Sequence, residues 1–439
     1  MDKDISIVQR FSYAGATFGQ NIIYTFTASY LMFFYTDILG IAAATAGLLF
    51  LVARTFDALN DPLMGFLADR TKTRLGKFRP YMIASPPFIA LTTILCFISP
   101  SGINILLYAY ITYFAWGIAY TLCDIPLWAI PSVLSKDLAQ KTVAVTWSKI
   151  GGLIGQVTVI IGGIRLLEYF GGQWETSAYF KTALVITVPG AILLILAGCL
   201  LRERVKNTET VPFREGFLAL FSSRRIFPLM IAFFLFNLTL GLRAGLQLYY
   251  ATYVLGDAGF MMWIGAAIVV GMAGGMIISS FFIKRYGSLM MFNISCVFSG
   301  VLSFVPQFTG YTDRIQLLIW IALSFIFMGI ANITWPALLL DTIDDTKKRT
   351  GLPIEGIFFS AQTFVLKLVA SVSAAVIGLC LSLLGYVERA PQTQTVINGL
   401  HTLMFAFPAI LFLLAVIPMF FYAKTLKTSS KEEIGEINK

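Results

Sequence analysis

The sequence predicts an all-α membrane protein, with twelve transmembrane helices in two pseudo-symmetric six-helix bundles. The first observation is composition: 57% of the 439 residues are hydrophobic and 13% are charged, and the mean hydropathy is +0.79. A soluble domain has about 25% charged residues. The second observation is that apolar runs recur along the whole chain, each near the roughly 20 residues that a helix needs to cross a bilayer core.

Twelve such runs alternate with short polar loops. The expected spans are 12–36, 41–68, 80–99, 103–134, 142–167, 180–201, 226–254, 259–283, 288–309, 315–341, 355–385 and 396–423. A long charged connector after the sixth span separates two sets of six. We therefore expect bundles at 1–201 and 226–427, a cytoplasmic linker at 202–225 and a tail at 428–439.

The loops also suggest an internal duplication. The loop after the second span reads GFLADRTKTRLGKFRPY, and the loop after the eighth carries a weaker echo, GGMIISSFFIKRYGS. Two similar halves around a central cavity are the usual build of a secondary transporter, whose binding site lies near the bilayer midplane.

Basic residues are distributed unequally between the two sides of the membrane. Of the 32 Lys and Arg residues, 24 lie in the tails and loops on the side of both termini. The positive-inside rule then predicts cytoplasmic termini in a bacterial cytoplasmic membrane. The net charge of +9 reflects this topology, so we expect a lipid bilayer and no nucleic acid as partner.

The second span carries three charges in the segment RTFDALNDPLMG. Arg54, Asp57 and Asp61 are spaced to share one helical face. A charge at the bilayer centre costs at least about 3 kcal/mol, so each should face a cavity or a partner. An ion pair of Arg54 with one acid would leave the second acid unexplained. Two carboxylates with oxygen neighbours such as Asn60 and Thr121 suit Na⁺ or a proton.

The fourth span places Tyr120, Asp124 and Trp128 four residues apart, along one face. A carboxylate between two aromatic rings suits a sugar, because hydroxyls donate to the acid while the apolar sugar face stacks on a ring. The alternative is ordinary packing, since Tyr and Trp are common in membrane helices. A mid-span acid favours the sugar interpretation.

Three further cations lie within spans. Lys367 and Arg243 belong to the second half, and each could pair with an acid or contact a substrate. Lys149, near the start of the fifth span, is a third candidate for contact with substrate, and both Lys149 and Arg243 could extend to the membrane surface instead. No nucleophile and base are brought together in any span, which argues against an enzyme.

Motifs in both halves carry a resemblance to a known family. They are YLMFFYTDILG, FLVARTFDALNDPLMG, DRTKTRLGKFRPY, YTLCDIPLW, DTIDDTKKRTG, EGIFFSAQTFVLK and LGYV. The chain resembles the glycoside, pentoside and hexuronide cation symporters of the major facilitator superfamily, of the melibiose permease type. The resemblance implies the major facilitator fold and a monomer that imports a sugar with Na⁺, Li⁺ or H⁺ and needs no other cofactor.

The resemblance also assigns roles to residues. It implies that Asp57 and Asp61 bind the coupling cation, as a metal site if the ion is Na⁺, with Asn60 and Thr121 assisting. It places the sugar against Asp124 and Trp128, and its polar positions on the eleventh span match Gln362, Thr363 and Lys367.

One departure concerns the charge of the substrate. Asn21 stands where melibiose permease has an acid that binds galactosyl hydroxyls, and Arg243 adds a positive charge. A symporter of an anionic sugar, a hexuronide, is therefore the alternative to a neutral glycoside. A sensor that binds sugar without moving it is a further alternative, although the short tail carries no signalling domain.

Overall fold

The computed structural model describes residues 5–71, 73–135, 137–204, 220–221, 223–351 and 355–437. These residues form helices and loops, and they contain no β-sheet strand. The α-helices longer than one turn are α1 Ile7–Phe33, α2 Ala43–Arg70, α3 Arg79–Cys96, α4 Ile105–Ala129, α5 Leu138–Tyr169, α6 Thr176–Leu200, α7 Ile226–Tyr249, α8 Met261–Tyr286, α9 Ser288–Phe304, α10 Arg314–Thr350, α11 Glu355–Leu383, α12 Gln394–Met404 and α13 Ala406–Ile437. A π-helical turn, Phe34–Ile38, directly follows α1. The all-helical prediction is confirmed.

Nine membrane-length segments in the described part of the chain are apolar enough to span a bilayer. They correspond to the expected spans four to twelve, with α12 and α13 sharing the last. The first three expected spans correspond to α1, α2 and α3. Charged side chains such as Arg54, Asp57 and Asp61 lower the hydropathy of α2. The count of twelve spans stays a prediction.

Three helices extend well beyond the apolar runs that predict them, and one of these is α13, which continues from the expected end at residue 423 to Ile437. α1 begins at Ile7, because Ser6 and Gln9 form a reciprocal capping box that satisfies backbone N–H groups at the helix start. α10 continues through the charged segment to Thr350. There Asp345 bonds Arg225 at 3.0 Å and Arg349 at 3.5 Å, so these charges stabilise a helix that hydropathy ends at residue 341.

The chain divides into two compact units. The described residues within 1–209, 251–265 and 374–393 form unit 1, and those within 210–250, 266–373 and 394–439 form unit 2. Unit 1 therefore includes two segments from the second half of the sequence, in addition to the expected first bundle.

Close helix packing in unit 1 sets the position of α1. A side chain on Gly151 or Gly155 of α5 would meet the backbone of α1, at Ala14 and Phe18. Glycine at these two positions lets α5 approach α1 at backbone distance. This close approach also fixes the position of the next turn of α1, which carries amide side chains, within unit 1.

Candidate functional site

The structure places the candidate residues on six helices. In unit 1, α2 carries Arg54, Asp57, Asn60 and Asp61, α4 carries Tyr120, Thr121, Asp124 and Trp128, α1 carries Asn21, and α5 carries Lys149. In unit 2, α7 carries Arg243, and α11 carries Gln362, Thr363 and Lys367.

Arg54 and Asp57 form a buried ion pair on α2. Arg54 Nη1 donates to Asp57 Oδ2 at 3.1 Å, and the two side chains are 8% and 5% exposed. The guanidinium carbon also lies 4.9 Å from the ring centre of Trp116 and 5.5 Å from that of Tyr113. Ring faces attract a cation, which helps to hold the arginine in place. Asp57 is thus oriented by a neighbour that is itself fixed.

α4 packs directly against the two carboxylates of α2. A Cβ on Gly117 would force the Asp57 carboxylate to shift, so glycine lets α4 pack against this carboxylate in its present position. One turn later, Thr121 Oγ1 donates to Asp61 Oδ1 at 3.3 Å. Asn60 is half-buried beside Asp61 in sequence. The structure therefore joins Asp57, Asp61 and Thr121 at one interface between two helices of unit 1.

Asp124 is the centre of a second polar group on α4. It is 7% exposed, and its Oδ1 accepts from Trp128 Nε1 at 2.9 Å and from Gln20 Nε2 of α1. Two donors on one oxygen fix the plane of the carboxylate. The indole and the amide therefore position an acceptor for hydroxyl groups.

Trp128 and Tyr120, which flank Asp124 on α4, have contacts of their own with an ammonium group and with aromatic rings. The Lys149 ammonium lies 4.7 Å from the ring centre of Trp128, so this lysine, although exposed, contacts the same indole. Tyr120 stacks on Trp116 at 5.1 Å and lies 5.6 Å from the ring of Tyr24. Of the predicted aromatic pair, Trp128 donates a hydrogen bond to the acid.

Gln20 was not among the residues that the sequence pattern indicates, whereas its neighbour Asn21 was. Asn21 Nδ2 donates to its own helix, at Thr17 O, over 2.9 Å, and to Gln20 Oε1 over 3.3 Å. Gln20 instead reaches Asp124. Adjacent residues differ by about 100° around a helix, so only the phase of α1 decides which amide meets the acid.

The two groups share α4. Thr121 bonds Asp61, and Asp124 follows three residues later on the same helical face. A displacement or rotation of α4 that alters one group therefore also alters the other.

The candidates in unit 2 have different surroundings. Arg243 is buried within its own unit, where it donates to Ser303. On α11, Gln362 and Lys367 are half-buried and Thr363 is exposed. Thr363 and Lys367 are one helical turn apart and share a face. Their contact with substrate stays a prediction.

A further group of polar residues, the Asp37 cluster, lies at the end of α1 in unit 1. It comprises Asp37, Tyr253, Tyr386 and Arg389. The Asp37 carboxylate is fully buried and accepts from both tyrosine hydroxyls, at 2.5 Å from Tyr386. The Arg389 guanidinium donates to the carbonyls of Asp37 and Ile38. The sequence signal for this cluster was limited to the motifs that carry Asp37 and Tyr386, with no indication that they meet.

Comparison with protein families gives one match over nearly the whole chain. Residues 12–425 match the model of a family described as MFS/sugar transport protein. Symporter YnaJ of Bacillus subtilis is 32% identical over 96% of this chain and 92% of its own. The isoprimeverose transporter of Lactiplantibacillus pentosus is 29% identical over 94% and 88%. The glucuronide carrier protein homolog of Escherichia coli is 25% identical over 100% and 97%.

Solved structures with the same fold are more distant in sequence. A bacterial homolog of the lysosomal transporter Spinster superposes with a TM-score of 0.71 at 13% identity, over 96% of this chain and 98% of the other. The nucleoside transporter NupG gives a TM-score of 0.66 at 15% identity, over 94% and 100%. These likenesses concern the fold alone.

Proposed function

The chain belongs to the MFS/sugar transport protein family, and from this membership we propose that it is a cation-coupled symporter importing a sugar or glycoside by alternating access. The family confirms the resemblance read from the motifs, and it makes the protein a transporter rather than an enzyme. The proposal goes beyond family membership in three respects: the coupling ion, the sugar, and the residues that bind them.

The observation that carries the proposal is the arrangement around α4. Thr121 of α4 donates a hydrogen bond to Asp61 of α2. One turn later on α4, Asp124 accepts hydrogen bonds from Gln20 and Trp128. We assign the coupling cation to Asp57 and Asp61, and the sugar to Asp124, Trp128 and Gln20. Cation binding at Asp57 and Asp61 then shifts α4, and the position of α4 determines how well Asp124 and Trp128 bind the sugar.

The cation step follows from the charges at the α2–α4 interface. Asp57 keeps Arg54 as one partner, so an incoming Na⁺ or proton adds a second positive charge beside the two carboxylates. The Thr121 hydroxyl, which donates to Asp61 in this structure, can rotate and offer its lone pair to Na⁺. Asn60 adds an amide oxygen. The ion thereby replaces one hydrogen bond between α2 and α4 with direct coordination.

The sugar step uses Asp124 as an acceptor. Sugar hydroxyls donate to the carboxylate, and the apolar sugar face packs on the Trp128 ring. Reciprocity requires that sugar and cation strengthen each other's binding by one common factor. With a neutral sugar and one cation, the membrane potential adds about 2.3 kcal/mol per 100 mV to accumulation.

The test is uptake into proteoliposomes under an imposed sodium or proton gradient. The panel holds labelled neutral glycosides, isoprimeverose included, and a glucuronide. We expect gradient-driven accumulation by the wild type and its loss, by at least about tenfold, in Asp57→Asn, because the amide cannot supply the charge. Glu175→Gln, which makes the same change at an exposed position, is the control.

Two outcomes would contradict the assignment. Wild-type protein that binds a sugar but accumulates none under either gradient would favour a sensor. Full gradient-driven uptake by Asp57→Asn, with cation dependence unchanged, would remove this acid from the coupling site.

An anionic sugar is the second candidate, and one observation favours it. The Lys149 ammonium lies on the Trp128 ring, so a sugar that packs there would bring a carboxylate close to a positive charge. Here Lys149→Gln should raise the KM for a glucuronide about tenfold and leave that of a neutral glycoside within about twofold. Equal effects on both substrates would show that Lys149 does not read the sugar's charge.

A further inference from the structure

Arg243 is a buried cation that has no acid bonded to it within the described chain. It lies on α7 inside unit 2 and is 3% exposed. Its Nη2 donates to Ser303 Oγ of α9 at 2.6 Å. Its Nε and Nη1 have no hydrogen-bond partner among the described residues. A guanidinium stays charged in proteins, so two of its three nitrogens lack compensation in the interior.

Aromatic rings form the apolar side of the surroundings of this guanidinium. Its carbon lies 5.1 Å from the ring centre of Phe325 on α10 and 6.0 Å from that of Phe412 on α13. Ring faces attract a cation weakly, and they exclude the water that would otherwise solvate it. The structure thus encloses a full charge with partial compensation.

Serine hydroxyls form the polar side of the same site. Ser303 Oγ and Ser324 Oγ are 2.7 Å apart, and Ser299 Oγ donates to the carbonyl of Ser324 at 3.0 Å. Ser324 Oγ also donates to the carbonyl of Ser299 at 3.2 Å, so the serines of α9 and α10 form one connected polar group. These groups can turn their protons toward a negative ligand.

We propose that unit 2 contains a binding site for one small monovalent anion of the halide class, held by Nε or Nη1 of Arg243 and by the serine hydroxyls. A single negative charge balances the single guanidinium. A halide accepts hydrogen bonds from every direction, which suits donors that arrive from both α7 and α9. The site is separate from the cation and sugar groups of unit 1, and it does not depend on the proposed function.

The test uses purified full-length protein without sugar or coupling gradient. Thermal unfolding is followed by tryptophan fluorescence while sodium chloride replaces sodium gluconate at constant ionic strength. The wild type should gain about 2 °C in Tm at a chloride concentration near ten times its Kd. Arg243→Gln should show no chloride-specific gain. Arg165→Gln, which removes an exposed guanidinium, should keep the wild-type response.

A measurement on the wild type alone covers the case in which Arg243→Gln does not fold. Chloride-35 resonance should broaden saturably with one site per chain, and bromide should reverse the broadening while gluconate does not. Bromide-soaked crystals should show an anomalous peak next to Arg243.

Three results would overturn the proposal. The first is an identical Tm in chloride and gluconate, together with no saturable broadening. The second is a chloride response of equal size in Arg243→Gln, which would mark a general salt effect. The third is an anomalous bromide peak elsewhere and none at Arg243.

Discussion

At the scale of single residues, the position of Asp57 depends on a residue that has no side chain. Gly117 on α4 faces Asp57 Oδ1 so closely that a methyl group has no room. The carboxylate also keeps its bond to Arg54 at 3.1 Å, so it cannot move away without losing that partner. The geometry of the proposed cation group is therefore set by the approach of two helices.

Gly117→Ala should weaken cation binding while sparing the sugar. The added methyl displaces the Asp57 carboxylate, and overpacking of this kind costs about 1–3 kcal/mol. The cation concentration for half-maximal uptake should rise about tenfold. Gly162→Ala on α5, where an added Cβ meets no described atom within 4 Å, is the control. A wild-type cation requirement in Gly117→Ala would show that Asp57 geometry does not govern coupling.

Some site residues could be predicted from the sequence, and others could not. Asp57, Asp61 and Asp124 could be selected because each is a charge in an apolar run. Gln20 could not, since a neutral amide in a membrane helix has little sequence signal and the bond to Asp124 depends on the rotation of α1.

At the scale of helices, the Asp37 cluster fixes the end of α1. Arg389 adopts a φ of 55°, a left-handed backbone that costs a non-glycine residue about 1 kcal/mol. Its guanidinium donates to the carbonyls of Asp37 and Ile38, which lie in the π-helical turn that follows α1. These charge-assisted bonds offset the backbone cost and hold the segment that follows α11 against α1.

Arg389→Gln should loosen this end of unit 1. Hydrogen exchange of the segments 34–41 and 250–254 should accelerate about tenfold, because bonds to a charged donor contribute about 1.5–3 kcal/mol. Arg165→Gln, which breaks an exposed ion pair with Glu168, should leave both segments unchanged. Unaltered exchange in Arg389→Gln would mean that the tyrosine bonds to Asp37 suffice.

Helix limits and long-range contacts explain what the sequence could not predict. Hydropathy located the apolar part of each expected span, but α10 continues through charged residues, where Asp345 pairs with Arg225 and Arg349. Tyr253 and Tyr386 bond Asp37 from 216 and 349 residues away. No local pattern encodes such a meeting.

At the scale of the whole molecule, composition and charge distribution predicted the class of protein. An apolar content of 57% leaves few architectures except membrane helices, and the family match over residues 12–425 confirms the major facilitator assignment. The bundle limits at 201 and 226 and the cytoplasmic location of the termini stay predictions. Unit 1 differs from a simple N-terminal half by its segments 251–265 and 374–393, because spatial packing rather than chain order defines it.

The central claim is that α4 links cation and sugar binding. The most direct measurement is isothermal titration of the purified protein with the transported sugar, with and without saturating cation, and with the cation in both sugar states. We predict that both Kd values fall by one common factor of about ten or more. Thr121→Val should reduce that factor toward one, and Thr92→Val, whose hydroxyl bonds carbonyls of its own helix, should keep it. A sugar Kd that is the same with and without Na⁺ and across pH would contradict the account.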